Sequence, residues 1–198
     1  MIKFKNLNSQ TPFLLFKEKY ECALSAGQKG IEAISISSYN MKTHEVSSRY
    51  VNLKLIENDE FIFFSNYNSP KASSFNSLNQ IAALLYWPSI NIQIRMKAKI
   101  KKTSKEFNQK YFLERSIKKN ALSISSNQSQ PISSYDQVKK NYNNSLKNDD
   151  LKTCPNYWGG FSFKPYEIEF WEGNEFRLNK RDLFSNKDNN WVHTILEP

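Results

Sequence analysis

Apolar residues at helical spacing are clearest near the start of the chain. Thr11 and Pro12 make a good helix start, as N-cap and first-turn proline. Four large apolar residues then recur three or four positions apart until Gly27, namely Phe13, Phe16, Tyr20 and Leu24. This spacing predicts an amphipathic helix over about residues 11–26.

Strand patterns follow this helix, and they are short and consecutive. The segments 33–38, 49–56 and 61–67 have strand character, and the polar link at 57–60 is short enough for a hairpin. Residues 80–87 are apolar enough to form a buried strand. Residues 91–101 alternate, which predicts one exposed polar face and one core face made of Ile92, Ile94, Met96, Ala98 and Ile100.

Start signals predict three more helices. Each signal combines a capping side chain with a first-turn proline, a capping-box glutamate or a following periodic segment. The helices begin at Ser69 and Pro70, at Thr103 with Glu106 three positions later, and at Ser133 or Ser134. The first of these should end near residue 78 and the last near residue 146.

The remaining segments decide the fold class. Residues 116–133 are rich in Ser, Asn and Gln, which is typical of a flexible linker or of a ligand-binding loop. From Trp158 onward, Gly, Pro and a polar cluster divide the chain into four strand-like segments, 159–165, 166–173, 175–184 and 190–198. We therefore expect a single domain over residues 1–198, mainly β with flanking helices, built as an antiparallel barrel rather than a parallel α/β sheet.

Composition limits the ligands and the compartment. The 28 Lys and Arg against 19 Asp and Glu give a formal charge of +9, which predicts attraction to nucleic acid, a membrane surface or a phosphorylated small molecule. No apolar run approaches the length of a membrane span, and PFLLF at 12–16 is too short for a signal peptide. Cys22 and Cys154 lie far apart without nearby ligand residues, so we expect reduced thiols in a cytoplasmic protein.

Several common kinds of chemistry have no motif here. His44 and His193 lie in polar contexts without a nucleophilic triad, and there is no HExxH, no Cys/His cluster, no P-loop and no GxGxxG. The lysines at 97 and 99, or at 101 and 102, resemble a nucleic-acid stripe, but a charged row on the outer face of a strand is more often solvated. We expect neither a metal site nor nucleic-acid binding.

Seven collinear blocks carry a family resemblance. They read SSRYVNLK at 47–54, FFSNYNSPK at 63–71, YWP at 86–88, YFLER at 111–115, NQSQPI at 127–132, YWGGFSFKPYEIEFWEGNEFRLNKR at 157–181, and the terminal LEP. In order and spacing they resemble the pyridoxamine 5'-phosphate oxidase family from about residue 12 to the end. The resemblance implies an FMN-binding split barrel and a homodimer with two FMN sites at the interface, with dimerisation and substrate hairpins over about residues 157–198.

The resemblance also implies a set of flavin ligands. Arg and Lys side chains suit the flavin phosphate because charge-assisted bonds to a dianion are strong. Gln amides can donate to and accept from the edge of the flavin ring. The positions that match the family are Arg49, Tyr50, Val51, Lys54, Phe64, Ser65, Lys71, Gln93, Gln128, Ser129, Trp171 and Arg181.

A second set would hold a phosphorylated substrate. The family motifs place its phosphate at Lys54, Tyr111, Arg115 and Lys119, of which Tyr111 and Arg115 should share one face of a helix. Arg177 and Asn179 would set the substrate ring against the flavin. Phe170 and Phe176 should fix the hairpin that carries this last pair.

If the family activity is retained, the enzyme oxidises pyridoxamine or pyridoxine 5'-phosphate to pyridoxal 5'-phosphate and reduces dioxygen to hydrogen peroxide. Five departures from the family pattern bear on this expectation. Asn179 stands for a histidine and cannot carry a positive charge near neutral pH, and Lys119 stands for a serine. Pro70 and Ile92 each stand for an arginine, and Leu-Ser-Ile at 122–124 stands for Gly-Ala-Trp.

These departures leave two alternatives open. One is a flavin enzyme of the same family that acts on another substrate, such as the aromatic carboxylates of phenazine-pathway relatives. The other is a non-catalytic protein that binds flavin, pyridoxal phosphate or nucleic acid.

Overall fold

The computed structural model describes all 198 residues and contains nine strands and five helices. The strands are β1 (Lys3–Lys5), β2 (Ala33–Asn40), β3 (Glu45–Glu57), β4 (Glu60–Asn66), β5 (Gln80–Trp87), β6 (Ile92–Lys102), β7 (Trp158–Glu172), β8 (Lys180–Lys187) and β9 (Asn190–Ile195). The helices are α1 (Thr11–Ser25), α2 (Pro70–Ser77), α3 (Lys105–Glu114), α4 (Ile117–Ser125) and α5 (Tyr135–Asn148).

Strands β2 to β7 close into a six-stranded antiparallel barrel. The closure runs β3-β2-β5-β6-β7-β4 and back to β3, because β4 pairs with both β3 and β7. Strand β1 adds to β3 in parallel, while β8 and β9 extend the sheet beyond β7. The mainly β, antiparallel barrel predicted from the sequence is confirmed, and only the short strand β1 was missed.

Strand β7 is one continuous strand, so the predicted break at Pro165 is wrong. On one side β7 pairs with β4 over residues 158–163 and with β8 over residues 167–172. Pro165 lies in the gap between these partners, where a missing backbone N–H costs no ladder hydrogen bond. The register with β6 also shifts here, between Lys97 and Ala98. The prediction that residues 175–184 form one strand is also wrong, because β8 begins only at Lys180.

The core lies inside the barrel and under α1. Alternate residues of β6 are buried, and Ile94 and Ala98 are fully enclosed, as the alternation predicted. Strand β5 alternates in the same way and is buried on one face only, which corrects the expectation of a wholly buried strand. Helix α1 contributes Phe13 and Phe16 to this core, and their rings pack against Phe61.

Helix starts were predicted to within one or two residues. Ser134 is the N-cap of α5, as expected. The N-cap of α3 is Ser104 and not Thr103, and the N-cap of α1 is Gln10 and not Thr11. The segment 116–133 contains α4, which the sequence did not predict. None of the five helices has the length and hydrophobicity that a membrane crossing requires.

Candidate active site

An open cavity of about 480 Å³ lies between the barrel and the helices α2, α3 and α4. Seven of the predicted flavin ligands line it: Tyr50, Val51, Lys54, Phe64, Ser65, Lys71 and Gln128. All four predicted substrate-phosphate ligands line it as well: Lys54, Tyr111, Arg115 and Lys119. Residues from strands, helices and a loop that are distant in sequence therefore converge on one cavity.

A cluster of hydrogen-bond donors forms one end of this cavity. The buried Lys71, in the first turn of α2, donates from Nζ to Ser69 Oγ at 3.0 Å and to Gln128 Oε1 at 3.2 Å. Ser65 Oγ donates to the same Gln128 oxygen at 3.1 Å, and the backbone N–H of Asn66 donates at 3.3 Å. Three donors, two from β4 and one from α2, thus share one acceptor, an arrangement that also suits a phosphate oxygen.

The charge at this end is not neutralised. Burial and the nearby positive charge of Arg49 lower the pKa of Lys71 to about 8. Arg49 bonds only neutral acceptors, Ile36 O at 2.9 Å, Ser38 Oγ at 3.0 Å and Ser47 Oγ. Neither cation has a carboxylate within 4.0 Å. Since desolvated cations without a counterion are costly, this end of the cavity favours an anionic ligand.

The predicted substrate ligands occupy another part of the wall. Tyr111 stacks on Phe64 with ring centroids 3.7 Å apart, and burial raises the pKa of its hydroxyl. The guanidinium carbon of Arg115 lies 4.2 Å from the centre of the Trp158 ring. Lys119 lies exposed on α4, and Lys54 Nζ lies 3.7 Å from a Glu32 carboxylate oxygen.

Arg115 is held in place, but only one of its two terminal nitrogens has hydrogen-bond partners. Its Nη2 donates to the backbone oxygen of Lys119 at 3.1 Å and to Ser123 Oγ at 3.0 Å, whereas its buried Nη1 has no partner. Helix α3 ends at Glu114, so the prediction that Tyr111 and Arg115 share one helical face is wrong. Arg115 still reaches the cavity because the extended backbone after the helix and the Trp158 ring direct its side chain.

Five predicted flavin ligands do not line the cavity, and three of them lie in a row across the sheet. Gln93 on β6 is directly opposite Trp171 on β7, and Trp171 is directly opposite Arg181 on β8. All three side chains are partly exposed. We call these residues the sheet row. Of the other two, Ser129 lies on an exposed loop with φ of 67° and lines a smaller pocket beside α5, and Arg49 lies close enough to Lys71 to lower its pKa.

The predicted ring-contacting pair lies in the turn between β7 and β8, also outside the cavity. Arg177 is exposed at φ of 60°, a left-handed conformation that is uncommon for a side-chain-bearing residue. Asn179 Oδ1 accepts from the backbone N–H of Asn174 at 3.0 Å, so it stabilises the turn itself. Phe170 is buried against Phe184, as predicted, but Phe176 is 75% exposed.

The departures from the family pattern do not all lie at the cavity. Ile92 is buried in the core, on the face of β6 opposite to Gln93, so the expectation that it alters the flavin site is wrong. Pro70 occupies the first turn of α2, where a backbone N–H has no helical partner anyway. Lys119 is the departure whose side chain lines the cavity.

Sequence reasoning missed several residues of the site. Trp158 supports Arg115, and Ser123, in the unusual 122–124 segment, accepts a hydrogen bond from it. Lys3 of β1 also lines the cavity, beside Lys54 of the neighbouring strand. The Trp-Gly-Gly sequence at 158–160 could have marked this position. A side chain at Gly160 would clash with Thr103, so the glycine indicates that β7 packs closely next to Trp158.

Barrel and cavity together define a class of protein, a six-stranded split barrel with a cationic cavity at its side. The model of the pyridoxine 5'-phosphate oxidase C-terminal dimerisation region matches residues 158–198. The pyridoxine/pyridoxamine 5'-phosphate oxidase 1 of Hydrogenovibrio crunogenus is 34% identical, over 94% of this chain and 88% of its own. The corresponding oxidase of Leptospira biflexa is 32% identical, over 94% and 89%.

Solved structures agree on the fold. PhzG from Burkholderia lata, solved with tetrahydrophenazine-1-carboxylic acid, superposes with a TM-score of 0.89 at 24% identity, covering 94% of this chain and 92% of its own. A pyridoxamine 5'-phosphate oxidase-related, FMN-binding protein from Nostoc punctiforme gives a TM-score of 0.77 at 13% identity, covering 96% and 100%. This chain belongs to the pyridoxine/pyridoxamine 5'-phosphate oxidase family, and so to the oxidoreductases.

Proposed function

We propose that the chain is an FMN-dependent oxidase that converts pyridoxamine or pyridoxine 5'-phosphate to pyridoxal 5'-phosphate. The observation that carries this proposal is a single cavity served by two separate groups of cations without carboxylate partners, Arg49 with Lys71 and Arg115 with Lys119. Two phosphate esters, one on the cofactor and one on the substrate, would neutralise these two groups.

The cofactor end fits the phosphate of FMN. Lys71 would donate one charged hydrogen bond, and Ser65 Oγ and the Asn66 N–H, which now meet at Gln128 Oε1, would donate two more. The positive charge of Arg49, close enough to lower the pKa of Lys71, would favour a dianion at the same place. The residues present therefore suit the cofactor that the family resemblance implies.

Bound FMN would supply the redox chemistry, taking a hydride from C4' of the substrate and passing the electron pair to dioxygen, which is released as hydrogen peroxide. When the substrate is the amine, water adds to the oxidised carbon and ammonia leaves. The chain's own contribution is to bind and orient. Arg115, whose Nη1 has no partner, would hold the substrate phosphate with Lys54 and Tyr111.

We further propose that the working enzyme is a homodimer. The family model that matches residues 158–198 is named for dimerisation. The sheet row and the 174–179 turn carry predicted ligands that do not line the cavity of their own chain. In the proposed dimer, the sheet row and turn of one subunit complete the cavity of the other, which would place Arg177 and Asn179 against the substrate ring.

A second candidate is an oxidase for a substrate with an additional anionic group. The observation that favours it is Lys119, an exposed cation that lines the cavity without a carboxylate partner where the family has a serine. Asn179 also favours this candidate. Its side-chain oxygen already accepts a hydrogen bond inside the turn, so only its amide N–H groups are left to donate to a ligand. A protein that only binds flavin or pyridoxal phosphate is a third candidate.

One set of measurements separates these candidates. The protein is purified, its visible spectrum is recorded, and peroxide release is measured with pyridoxine 5'-phosphate and pyridoxamine 5'-phosphate. A yellow dimer that releases peroxide with either compound supports the proposal. Bound flavin that is reduced by other electron donors but not by these two compounds favours the second candidate. Colourless protein without turnover would contradict both enzymatic candidates.

A further inference from the structure

Glu169 is a buried carboxylate that binds two arginines from the strands on either side of it. Its Oε1 accepts from Arg181 Nε on β8 at 2.9 Å, and its Oε2 accepts from Arg95 Nη2 on β6. Burial alone would raise the pKa of Glu169, but these charged hydrogen bonds outweigh it and the pKa is lowered. The group is therefore an anion at neutral pH and links three strands.

Arg181 is restrained at two of its three nitrogens. Besides the bond from Nε to Glu169, its Nη1 donates to the backbone oxygen of Glu197 at 2.9 Å. The remaining Nη2 is free for a ligand, on a side chain that is partly exposed. Such restraint lowers the conformational entropy that a flexible arginine would lose on binding.

The position of Glu169 connects it to the sheet row. It lies two residues before Trp171 on β7, so the two side chains project from the same face of the sheet. Trp171 is directly opposite Arg181, the residue that Glu169 binds. One carboxylate shared by two guanidinium groups leaves a net positive charge beside Trp171, as a binding surface for an anionic or electron-rich ligand requires.

We propose that Glu169 is a positioning residue for the flavin: it fixes the guanidinium of Arg181 beside Trp171 and so raises the affinity for FMN. This inference rests on the proposed function, because it takes Arg181 to be a flavin ligand. The competing interpretation is a purely structural ion pair, as for Glu167 and Lys97, which lie on the same two strands with nitrogen and oxygen 3.0 Å apart.

The test is a double-mutant cycle on the full chain after removal of flavin. FMN dissociation constants are measured by flavin fluorescence for the parent, Glu169→Gln, Arg181→Ala and the double variant, with thermal unfolding of each flavin-free protein. We expect Glu169→Gln to weaken FMN binding at least about tenfold, the order expected for one charge-assisted hydrogen bond. Because both residues act through one guanidinium, the double variant should bind within about twofold of Arg181→Ala.

Controls distinguish positioning from folding. Glu167→Gln removes a similar ion pair on the same face and should leave the FMN dissociation constant unchanged. Glu169→Asp keeps the negative charge that pairs with the two arginines but is one methylene shorter, so it should fold and still lose most of the affinity. Unchanged FMN affinity in both Glu169 variants, or additive effects in the cycle, would overturn the inference while leaving the proposed function intact. Unchanged affinity in Arg181→Ala would count against both.

Discussion

Lys71 gives the sharpest test of the proposed cofactor site. Replacing it with methionine keeps most of the side-chain volume and removes the cation whose Nζ reaches Ser69 and Gln128. A charged hydrogen bond to a phosphate contributes roughly 1.5–3 kcal/mol, so the FMN dissociation constant should rise about 10- to 150-fold. Binding of riboflavin, which has the same ring and side chain but no phosphate, should change little.

The same substitution should stabilise the ligand-free protein. Burial and Arg49 lower the pKa of Lys71 from 10.5 to about 8, so the folded state disfavours the charged form. A difference of that size corresponds to roughly 3 kcal/mol, and partial solvation of the ammonium reduces the expected gain to about 1–2 kcal/mol at pH 7. Thermal or urea unfolding of flavin-free Lys71→Met should therefore show a more stable protein.

The pH dependence has a definite sign. Below pH 8 Lys71 is charged in both the folded and unfolded states, and its full cost is present. Between about pH 8 and 10.5 the unfolded chain binds more protons, so the stability of the ligand-free parent gains from rising pH. FMN affinity should move the opposite way and fall by up to about tenfold per pH unit above 8, whereas Lys71→Met should lack this fall.

The assay is fluorescence titration of flavin-free protein with FMN and with riboflavin, from pH 6.5 to 9.5. Lys99→Met is the matched control, because Lys99 is an exposed strand lysine without an ion-pair partner. Equal losses of FMN and riboflavin affinity in Lys71→Met would refute a phosphate contact, since they would indicate general damage to the site. An unchanged FMN affinity would refute the placement of the cofactor phosphate at Lys71.

Three further substitutions test other parts of the site. Arg115→Ala should raise the KM for pyridoxine 5'-phosphate at least about tenfold in steady-state peroxide assays while FMN binding is kept, because a charged phosphate contact is lost; an unchanged KM would exclude that contact. Arg177→Ala should lose turnover and remain yellow, and unchanged turnover would remove this residue from the site. Gly160→Ala should lower stability by about 1–3 kcal/mol in urea unfolding, because the added methyl group would clash with Thr103.

Local patterns predicted most of the barrel because the pleat of a strand directly determines which residues face the core. The alternation of β6 is the clearest case, since the burial of its residues follows the sequence position by position. The error at Pro165 has a non-local cause: a proline breaks a strand only where a neighbour needs its N–H, and here β4 has ended and β8 has not begun.

Helix α4 was missed because tertiary contacts define it more than its own sequence does. Asn120, buried in α4, donates to the backbone oxygens of Phe112 and Leu151, and Ser145 of α5 donates to Ala121. A segment rich in polar residues can be helical when those residues satisfy backbone groups of neighbouring elements. No pattern within residues 116–133 contains this information.

The residues of the cavity were predicted through family motifs, whereas their orientation follows from packing. Arg115 was assigned to the substrate phosphate on sequence grounds, yet its direction depends on Trp158 beneath it and on Ser123 beside it. The sheet row is not explained by a single chain, because Gln93, Trp171 and Arg181 form one group but do not line the cavity. In the proposed dimer, a second copy would unite the two parts of the proposed site.

The distribution of charge indicates that the cavity and the sheet row contribute to ligand binding in different ways. Lys71 and Arg115 face the cavity without carboxylate partners, so much of the affinity for phosphorylated ligands should come from neutralising them. Arg181 instead shares the carboxylate of Glu169 with Arg95, so its charge is partly balanced before any ligand binds. Its contribution should therefore depend on geometry, a guanidinium fixed beside Trp171. In such a site the phosphate contacts provide much of the affinity, and the sheet row adds to the affinity for FMN by holding a guanidinium in place for the flavin.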